Sequence, residues 1–471
     1  MCFSTAGCRV VYHLLIIGGG LSGIAAGIRA ARFGLKTLIL EQHNHPGGLN
    51  SYYFRQGHLL ETGLHAMTNF ALARQKHAPL NRLLRQLNLR RRQFDLHEQI
   101  ASEICFNGRS LLFTNDPVVL EAEVAREFPR SVDQFRQVKE RIANHDPFTA
   151  GPRRSARQFL ADHLHEQELV DMLLLPLMVY GNAEEEDMDL DQFVIMFRAI
   201  FVEGFFRPAG TIRDFLDLLL RQYHDFGGEL RLRCPVAGLL TKNGRINGAQ
   251  LADGEVVTAQ MVLSTAGIPE TMRLVDWPAS PQPYIGRMSF METVVLVPRE
   301  YSSSLSSNRT ILFYHEGEEL RYRRPQDYLD TSWGVICFPG NFSGLEPADR
   351  LQVRMTNAAN YALWKKLTPE SYPQVKRQWT EAAIAASEKM IGNYRSSIVY
   401  QDSFTPVTIE RYTRKAEGAV YGSSIKIKNG MTPWPNLYLA GTDQGFLGII
   451  GSMLSGITIV NQHILQQSYA D

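Results

Sequence analysis

Tyr12-His13-Leu14-Leu15-Ile16-Ile17-Gly18-Gly19-Gly20-Leu21-Ser22-Gly23, followed by Lys36-Thr37-Leu38-Ile39-Leu40-Glu41 and then Gly47-Gly48, decides how this chain is read. Tyr12 to Ile17 predicts a strand of the apolar kind buried in parallel sheets. Gly18 permits a tight turn, Gly20 lets backbone approach a phosphate, and Gly23 lets the next helix pack close to the strand. That helix is predicted from Leu21 to Phe33, with the small residues Ala25, Ala26, Gly27 and Ala30 against the sheet, and Gly34 stops it. Its first amides and its dipole favour negative charge. Lys36 to Leu40 is a second strand, and Glu41 at its end can accept both hydroxyls of a ribose while repelling a 2′-phosphate. Strand, glycine turn, helix, strand and acid in this order hold the pyrophosphate and ribose of an adenine dinucleotide.

The pair Gly47-Gly48 shortly after the acid points to FAD rather than NAD. In FAD proteins of the glutathione-reductase type, a second glycine turn there brings backbone close to the cofactor.

The rest of the chain supplies the other layers. Leu59 to Met67 contains Glu61-Thr62-Gly63-Leu64-His65 in a loop. Arg74 to Arg92 is basic with Leu80, Leu83, Leu84 and Leu87 at helical spacing, a pattern read first as a solvated face on a core and second as a bilayer-facing helix. Asp95 to Ile200 reads as mostly helical, with Pro176 expected to break a helix before Tyr180-Gly181. Phe193, Phe197, Phe201, Phe205 and Phe206 are read first as core, and otherwise as the lining of an apolar tunnel. His163 and His165 near Glu166 lack the further spacing of a metal site. A helix from Thr211 to Phe226 leads into Glu229 to Arg233 and then a meander with turns at Asn243-Gly244 and Asp253-Gly254, ending at Ser264-Thr265-Ala266-Gly267. Met288 to Pro298, Thr310 to Tyr314 and Ser332 to Phe338 are strands of a second sheet, Pro369 to Ile391 is a helix, and Leu437 to Ala440 is a strand before Gly441-Thr442-Asp443.

A length of 471 residues calls for two or three domains, and 44% hydrophobic residues for a real core. With 49 basic against 48 acidic residues, no overall field favours nucleic acid. Five scattered cysteines without metal-ligand spacing read as reduced thiols of a cytoplasmic protein. Met1 to Val11 lacks the apolar core of a signal peptide. Gln444 to Ala470 carries no charged residue, but its glycines and polar side chains make it a buried helix rather than a bilayer span.

Three separated motifs in order carry a resemblance over essentially the whole chain: the glycine turn with Glu41 and Gly47-Gly48, the Val236 meander ending in Ser264-Thr265-Ala266, and Leu437 to Asp443. The chain resembles the phytoene desaturase superfamily of FAD-dependent oxidoreductases, which includes carotenoid isomerases and retinol saturases and lies close to the amine oxidases. Gly63-Leu64-His65 and Arg411-Tyr412-Thr413 look more like the saturase and isomerase branch. Two departures stand out: Leu49-Asn50-Ser51 replaces a basic residue after the glycine pair, and Glu61 replaces the usual Asp.

The resemblance implies an α/β fold, with a glutathione-reductase-type, Rossmann-like FAD-binding domain and an inserted α+β substrate domain. Segments 10–80, 205–285 and 400–471 would form the first, and 81–204 and 286–399 the second. It implies that Gly18, Gly20 and Gly23 contact the pyrophosphate, Glu41 the adenosine ribose, Val236 the adenine through its backbone, and Asp443 the ribityl-phosphate region. Leu21, Ser22, Gln42, Gly47, Gly48, Leu49, Ala266 and Gly441 belong to the same binding set, and amides around Ile450 and Gly451 would face the flavin pyrimidine edge. His65 is the catalytic candidate, beside a purely structural role for it. The expected substrate is an apolar polyisoprenoid or similar lipid, desaturated, saturated or isomerised, with peripheral membrane contact following from its hydrophobicity and no expectation for oligomeric state. The alternatives are an amine oxidase-like flavoenzyme and a flavin-free prenyl-lipid escort, the latter having no use for Glu41.

Overall fold

The computed structural model describes residues 11–63, 66–149, 151–305 and 308–468. The opening unit forms as its residues require: β1 (Val11–Ile17), α1 (Leu21–Arg32) and β2 (Thr37–Leu40), the two strands parallel with Ile17 opposite Leu40. A Cβ at Gly23 would lie 2.1 Å from the Gly18 carbonyl oxygen, so only glycine lets α1 start this close to the turn. The hairpin β3 (Tyr52–Arg55) and β4 (His58–Glu61) follows, then α2 (Pro79–Gln86). Leu80, Leu83, Leu84 and Leu87 are buried and Arg82 and Arg85 exposed, which is the solvated basic face on a core.

The stretch read as mostly helical contains three strands: β5 (Leu96–Glu98), β6 (Ser102–Phe106) and β7 (Arg109–Phe113). The signal for them was Asn107-Gly108, both with positive φ, the pattern of a two-residue hairpin turn. Five helices come next: α3 (Pro117–Glu127), α4 (Val132–Asn144), α5 (Ala156–Ala161), α6 (Gln167–Gly181) and α7 (Leu190–Phe197). Pro176 does not break α6. Every residue from Leu169 to Val179 is buried, and that packing offsets the ~3 kcal/mol cost of an internal proline. α7 continues into a wider π-type turn over Arg198–Val202. All five phenylalanines of this region are buried, in ring contacts such as Phe197–Phe201 at 5.2 Å, and belong to the cores.

After β8 (Phe206–Pro208), Thr211 and Asp214 cap α8 (Ile212–Asp225) reciprocally. Then come β9 (Glu229–Arg231) and the meander β10 (Val236–Lys242), β11 (Arg245–Leu251) and β12 (Val256–Ser264), and a short α9 (Ile268–Met272). The remaining elements are β13 (Ser289–Pro298), β14 (Ile311–His315), β15 (Trp333–Cys337), β16 (Arg350–Ala359), α10 (Tyr361–Lys365), α11 (Tyr372–Ile391), β17 (Tyr400–Phe404), α12 (Pro406–Thr413), β18 (Leu437–Leu439) and α13 (Gly448–Ile459).

Two seven-stranded sheets organise these elements. The first has the order β10-β11-β12-β1-β2-β9, and one edge of β12 is shared: β11 pairs with Val256–Thr258 and β18 with Val262–Ser264. Helices α1, α2, α8 and α13 share one core on this sheet. A Cβ at Gly456 of α13 would lie 2.1 Å from the Ser22 carbonyl oxygen, so the last helix seats directly on the first. The apolar stretch Gly448–Gln467 is long and apolar enough to span a bilayer, and 56% of its apolar 18-residue window is buried inside the fold.

The second sheet runs β17-β13-β16-β15-β14-β6-β7 and is antiparallel except where β14 meets β6. Strand Tyr400–Phe404, expected with the dinucleotide-binding segments, pairs with β13 in this sheet instead. Its alternate residues fit the register of β13, with Thr293 and Ser403 hydroxyls 3.0 Å apart. Helices α3 to α7 cover this sheet through a large core that includes Phe106, Phe113, Phe193 and Phe313.

Candidate functional site

The glycine turn presents backbone to an open space. Gly20 has φ −72° and ψ 172°, ordinary extended values, yet a Cβ built there meets nothing within 4 Å. It sits at the start of α1, which has no side-chain cap and no acid in its first turn. The amide of Gly47 donates to the Gly19 carbonyl at 2.8 Å, so the second glycine turn lies against the first. Both Gly47 (φ +108°) and Gly48 (φ +59°) use the left-handed region that favours glycine. Glu41 bridges this turn and its own strand end: Oε2 accepts the Gly19 amide at 2.7 Å and Oε1 the His43 amide at 2.8 Å.

The segment leading to Val236 is tied to the same place. Cys234 donates to the Glu41 carbonyl at 2.9 Å and Arg233 to that of His43 at 3.0 Å. Gln42, Val236, Ala266 and Gly441 do not line the cavity described below. Leu21 and Ser22 are buried at the start of α1, and Ser22 Oγ has no hydrogen-bond partner.

Asp443 is held by backbone amides and a lysine. Its Oδ2 accepts the Ile268 amide at 2.6 Å and its Oδ1 the Ser423 amide at 2.8 Å, with Lys415 4.0 Å away. Burial pushes its pKa up, but Lys415, Lys426 and those two amides together hold it below the usual carboxylate value. Lys426, donating to the carbonyls of Tyr421 and Thr442, is lowered by its burial to about 8. Asp443 thus clamps the ends of β12 and β18 and the 415–426 loop together, and the neighbouring Thr442 reaches the cavity instead, its buried Oγ1 without a partner. α13 begins at Gly448, with no side-chain cap and no acid in its first turn. Gly448, Ile449 and Ser452 line the cavity, whereas Ile450 is buried against α2 and α8. His65 lies outside the described residues.

Glu41, Gly48, Leu49, Thr442 and the start of α13 border a cavity of about 1920 Å³, whose lining does not include Gly18, Gly20, Leu21, Ser22, Gly23 or Gly47; it is roughly twice the upper end of the ~300–1,000 Å³ typical of small-ligand pockets. One end has Glu41, His43, Gly48 and Leu49; the middle has Thr442 and the start of α13; the inner wall has Val179, Tyr180, Phe290, Val335, Val420 and Tyr421. Burial first, then neighbouring negative charge including that of Glu292, pushes the Tyr180 and Tyr421 hydroxyls up, so both stay neutral. Unpartnered Ser22 and Thr442 hydroxyls, two uncapped helix starts and the bare backbone at Gly20 fit a bound dinucleotide, anionic at its centre. Among the described residues no group of acids, histidines and cysteines is placed to hold a metal ion, and Cys105, Cys234 and Cys337 are free thiols.

The model of the flavin containing amine oxidoreductases matches residues 21–462. The chain belongs to that family. FAD is its cofactor. The chain is similar to the all-trans-retinol 13,14-reductase of Danio rerio, 21% identical over 545 residues, covering 97% of this chain and 87% of the relative. It is similar to the chloroplastic prolycopene isomerase of Daucus carota at 22% identity, covering 93% and 74%. With the lycopene-forming phytoene desaturase of Pseudescherichia vulneris it shares 24% identity over 293 residues, 55% of this chain and 56% of the relative. The aligned part thus spans about half the length of that desaturase. Among solved structures, an oxidoreductase from Methanosarcina mazei superposes with a TM-score of 0.66 at 14% identity, covering 95% and 100% of the two chains. Putrescine oxidase bound to putrescine gives 0.65 at 16%, covering 98% and 100%. These likenesses are of fold.

Sequence reasoning passed over the inner wall. Val179 and Tyr180 come from α6, Phe290 and Glu292 from β13, Val335 from β15, and Thr356 from β16. One signal was present: Glu292 is the only charged residue of Ser289–Pro298.

Proposed function

We propose that the chain is an FAD-dependent oxidoreductase that desaturates, saturates or isomerises carbon–carbon bonds of an apolar polyisoprenoid or similar lipid. What carries this reading is the apolar inner wall of a cavity that also reaches Glu41, the second glycine turn at Gly48 and the start of α13. When bound, the flavin supplies two-electron hydride chemistry. The chain's own residues bind, orient and exclude water. In this reading Gly18, Gly20, Gly23 and the first amides of α1 hold the pyrophosphate, Glu41 the ribose, and Gly47, Gly48 and Leu49 the second turn over it. The Val236 segment takes the adenine, and the amides opening α13 at Gly448 and Ile449 offset negative charge on the reduced cofactor. The first sheet is the core of an FAD domain and the second sheet the core of a substrate domain.

The names of the relatives support this substrate class: phytoene, prolycopene and all-trans-retinol are all apolar polyenes or polyisoprenoids. Such molecules reside in lipid, so we place the cavity mouth against a membrane surface. Phe54 and Tyr412, 59% and 49% exposed, stand at that rim with Arg55, Lys365, Arg411 and Arg414, an aromatic and basic mixture suited to an anionic lipid interface.

The test has two stages. Purified protein is expected to show flavin absorption, and an FAD-free preparation that cannot be reconstituted overturns the reading. Incubation with vesicles carrying phytoene, prolycopene or all-trans-retinol, followed by mass spectrometry, is expected to give products shifted by two hydrogens or isomers of unchanged mass. Turnover of small polar amines with none of these lipids consumed overturns it in favour of an amine oxidase.

A further inference from the structure

Behind the inner wall runs a chain of four buried charges. Arg207 donates to both carboxylate oxygens of Glu61, at 3.2 and 3.1 Å. The Glu61 carboxylate also accepts the Ile212 amide at 2.6 Å. The Glu61 carbonyl accepts Arg354 at 2.7 Å, and Arg354 is ion-paired through its guanidinium to Glu292. All four residues are less than a tenth exposed and Arg354 is fully enclosed. The chain alternates in sign, and Glu292 is the member that lines the cavity.

The position of Glu292 differs from those of the other carboxylates on this wall. Glu41 serves the amides of Gly19 and His43. Asp402 meets Arg55 and Lys376, Glu410 meets Lys365, and Glu417 meets Arg324, all with partly exposed partners. Glu292 instead stands on a central strand, two residues from Phe290 and opposite Thr356, with Val335, Tyr180 and Tyr421 on the same cavity wall. Its negative charge raises the pKa values of Tyr180 and Tyr421, as their hydroxyls register after burial itself. The chain also reaches the cofactor side. Thr62, next to Glu61, donates to the Leu49 carbonyl at 2.9 Å and accepts the Ser51 amide at 2.9 Å, just beyond the second glycine turn.

We propose that Glu292 is a catalytic carboxylate that accepts the substrate proton and offsets the positive charge developing on substrate carbon, and that Arg354 is the positioning residue that holds it in place at the cavity wall. This rests on the reading of the cavity as an FAD and lipid site. In the desaturating direction one C–H bond would break with its electron pair leaving as hydride, for which an oxidised flavin, when bound, would be the acceptor. The adjacent C–H bond breaks, its pair becomes the new C=C bond, and its proton goes to a Glu292 oxygen. In the saturating direction Glu292 would return the same proton to one carbon while the other carbon gained the hydride that a reduced flavin, when bound, would supply. A carboxylate held in place by Arg354 behind it faces such a cation without the reorganisation that water would need.

A long-chain ammonium mimics that cation, so the test is differential binding at pH 7.5 by calorimetry: dodecylammonium against dodecanol, with FAD-free and FAD-loaded protein. Wild type and Glu292→Asp are expected to prefer the ammonium at least ten-fold, and Glu292→Gln to lose that preference while keeping FAD affinity and dropping lipid turnover by 10²-fold or more. Should Glu292→Gln fail to fold, the charge-balanced E292Q/R354M variant carries the same comparison. An ammonium preference retained without Glu292, absent from wild type, or lipid turnover unaffected by E292Q overturns the proposal. Protein that shows the Glu292-dependent preference but neither binds FAD nor converts lipid overturns the functional reading instead.

Discussion

Replacing Gly20 by alanine separates cofactor binding from folding more cleanly than any other change in the first turn. The backbone there has φ −72° and ψ 172°, which alanine adopts without strain, and its methyl would meet no protein atom within 4 Å. The apo-protein is therefore expected to keep its stability to within about 0.5 kcal/mol, or to gain slightly from a stiffer unfolded chain. A phosphate held on this backbone has to retreat from the added methyl, losing one charge-assisted hydrogen bond worth about 1.5–3 kcal/mol. That is a loss of roughly 10- to 150-fold in FAD affinity. Thermal shift reads the same effect through linkage: FAD at 100 times its Kd adds about 2.7 kcal/mol, and a 100-fold weaker site reduces this to about 0.4 kcal/mol.

Gly23→Ala is the contrasting variant. Its Cβ would lie 2.1 Å from the Gly18 carbonyl oxygen and 3.2 Å from Ile16 Cγ2, so α1 must move away from the turn. Here the apo-protein itself is expected to lose about 1–3 kcal/mol. Titration of apo-protein with FAD, followed by flavin fluorescence, and denaturant unfolding of the same samples measure the two quantities separately. Wild-type FAD affinity in Gly20→Ala would refute the placement of the pyrophosphate over this turn. An unchanged apo-stability in Gly23→Ala would refute the packing argument.

Three further outcomes are expected. Burial pushes the Glu203 carboxyl up to about 7, against donation from Asn69 and the charge of Arg198; its folded value lies above the unfolded one, so its contribution is full below pH ~4.5 and about 3 kcal/mol of stability is lost as pH rises through ~7. The wild-type difference in urea stability between pH 4.5 and 7.5 is expected to shrink by about that amount in Glu203→Gln, and parallel profiles contradict it. Phe197→Ala, which empties a core site between Phe193 and Phe201, is expected to cost about 3–5 kcal/mol with FAD affinity unchanged; a changed product spectrum would return this ring to the cavity. At the rim, Phe54→Ser with Tyr412→Ser is expected to weaken binding to anionic vesicles by about 2 kcal/mol, roughly 30-fold in a flotation assay, and equal flotation of the two proteins removes the rim from the membrane contact.

The dinucleotide-binding half was legible because its constraints are local. Gly23 answers to the Gly18 carbonyl five residues earlier and Gly20 to open space, and the meander turns are written as Asn243-Gly244 and Asp253-Gly254. The reading erred where a long-range term overrode a local rule. Pro176 stays inside α6 because a buried helix tolerates the lost hydrogen bond, and Tyr400–Phe404 joins the second sheet because β13 offers a matching edge. Asn107-Gly108 was a turn signal within a stretch read as helical. The inner wall was of a different kind altogether. Glu292 is an isolated charge in an apolar strand and Arg354 a fully buried charge in a more polar one, yet they lie 62 residues apart and meet only because β13 and β16 pair in antiparallel register. A buried charge needs a partner of opposite sign or it shifts its protonation. Two such anomalies of opposite sign in strands of one sheet therefore predict each other, and only their register decides which of the two reaches the cavity.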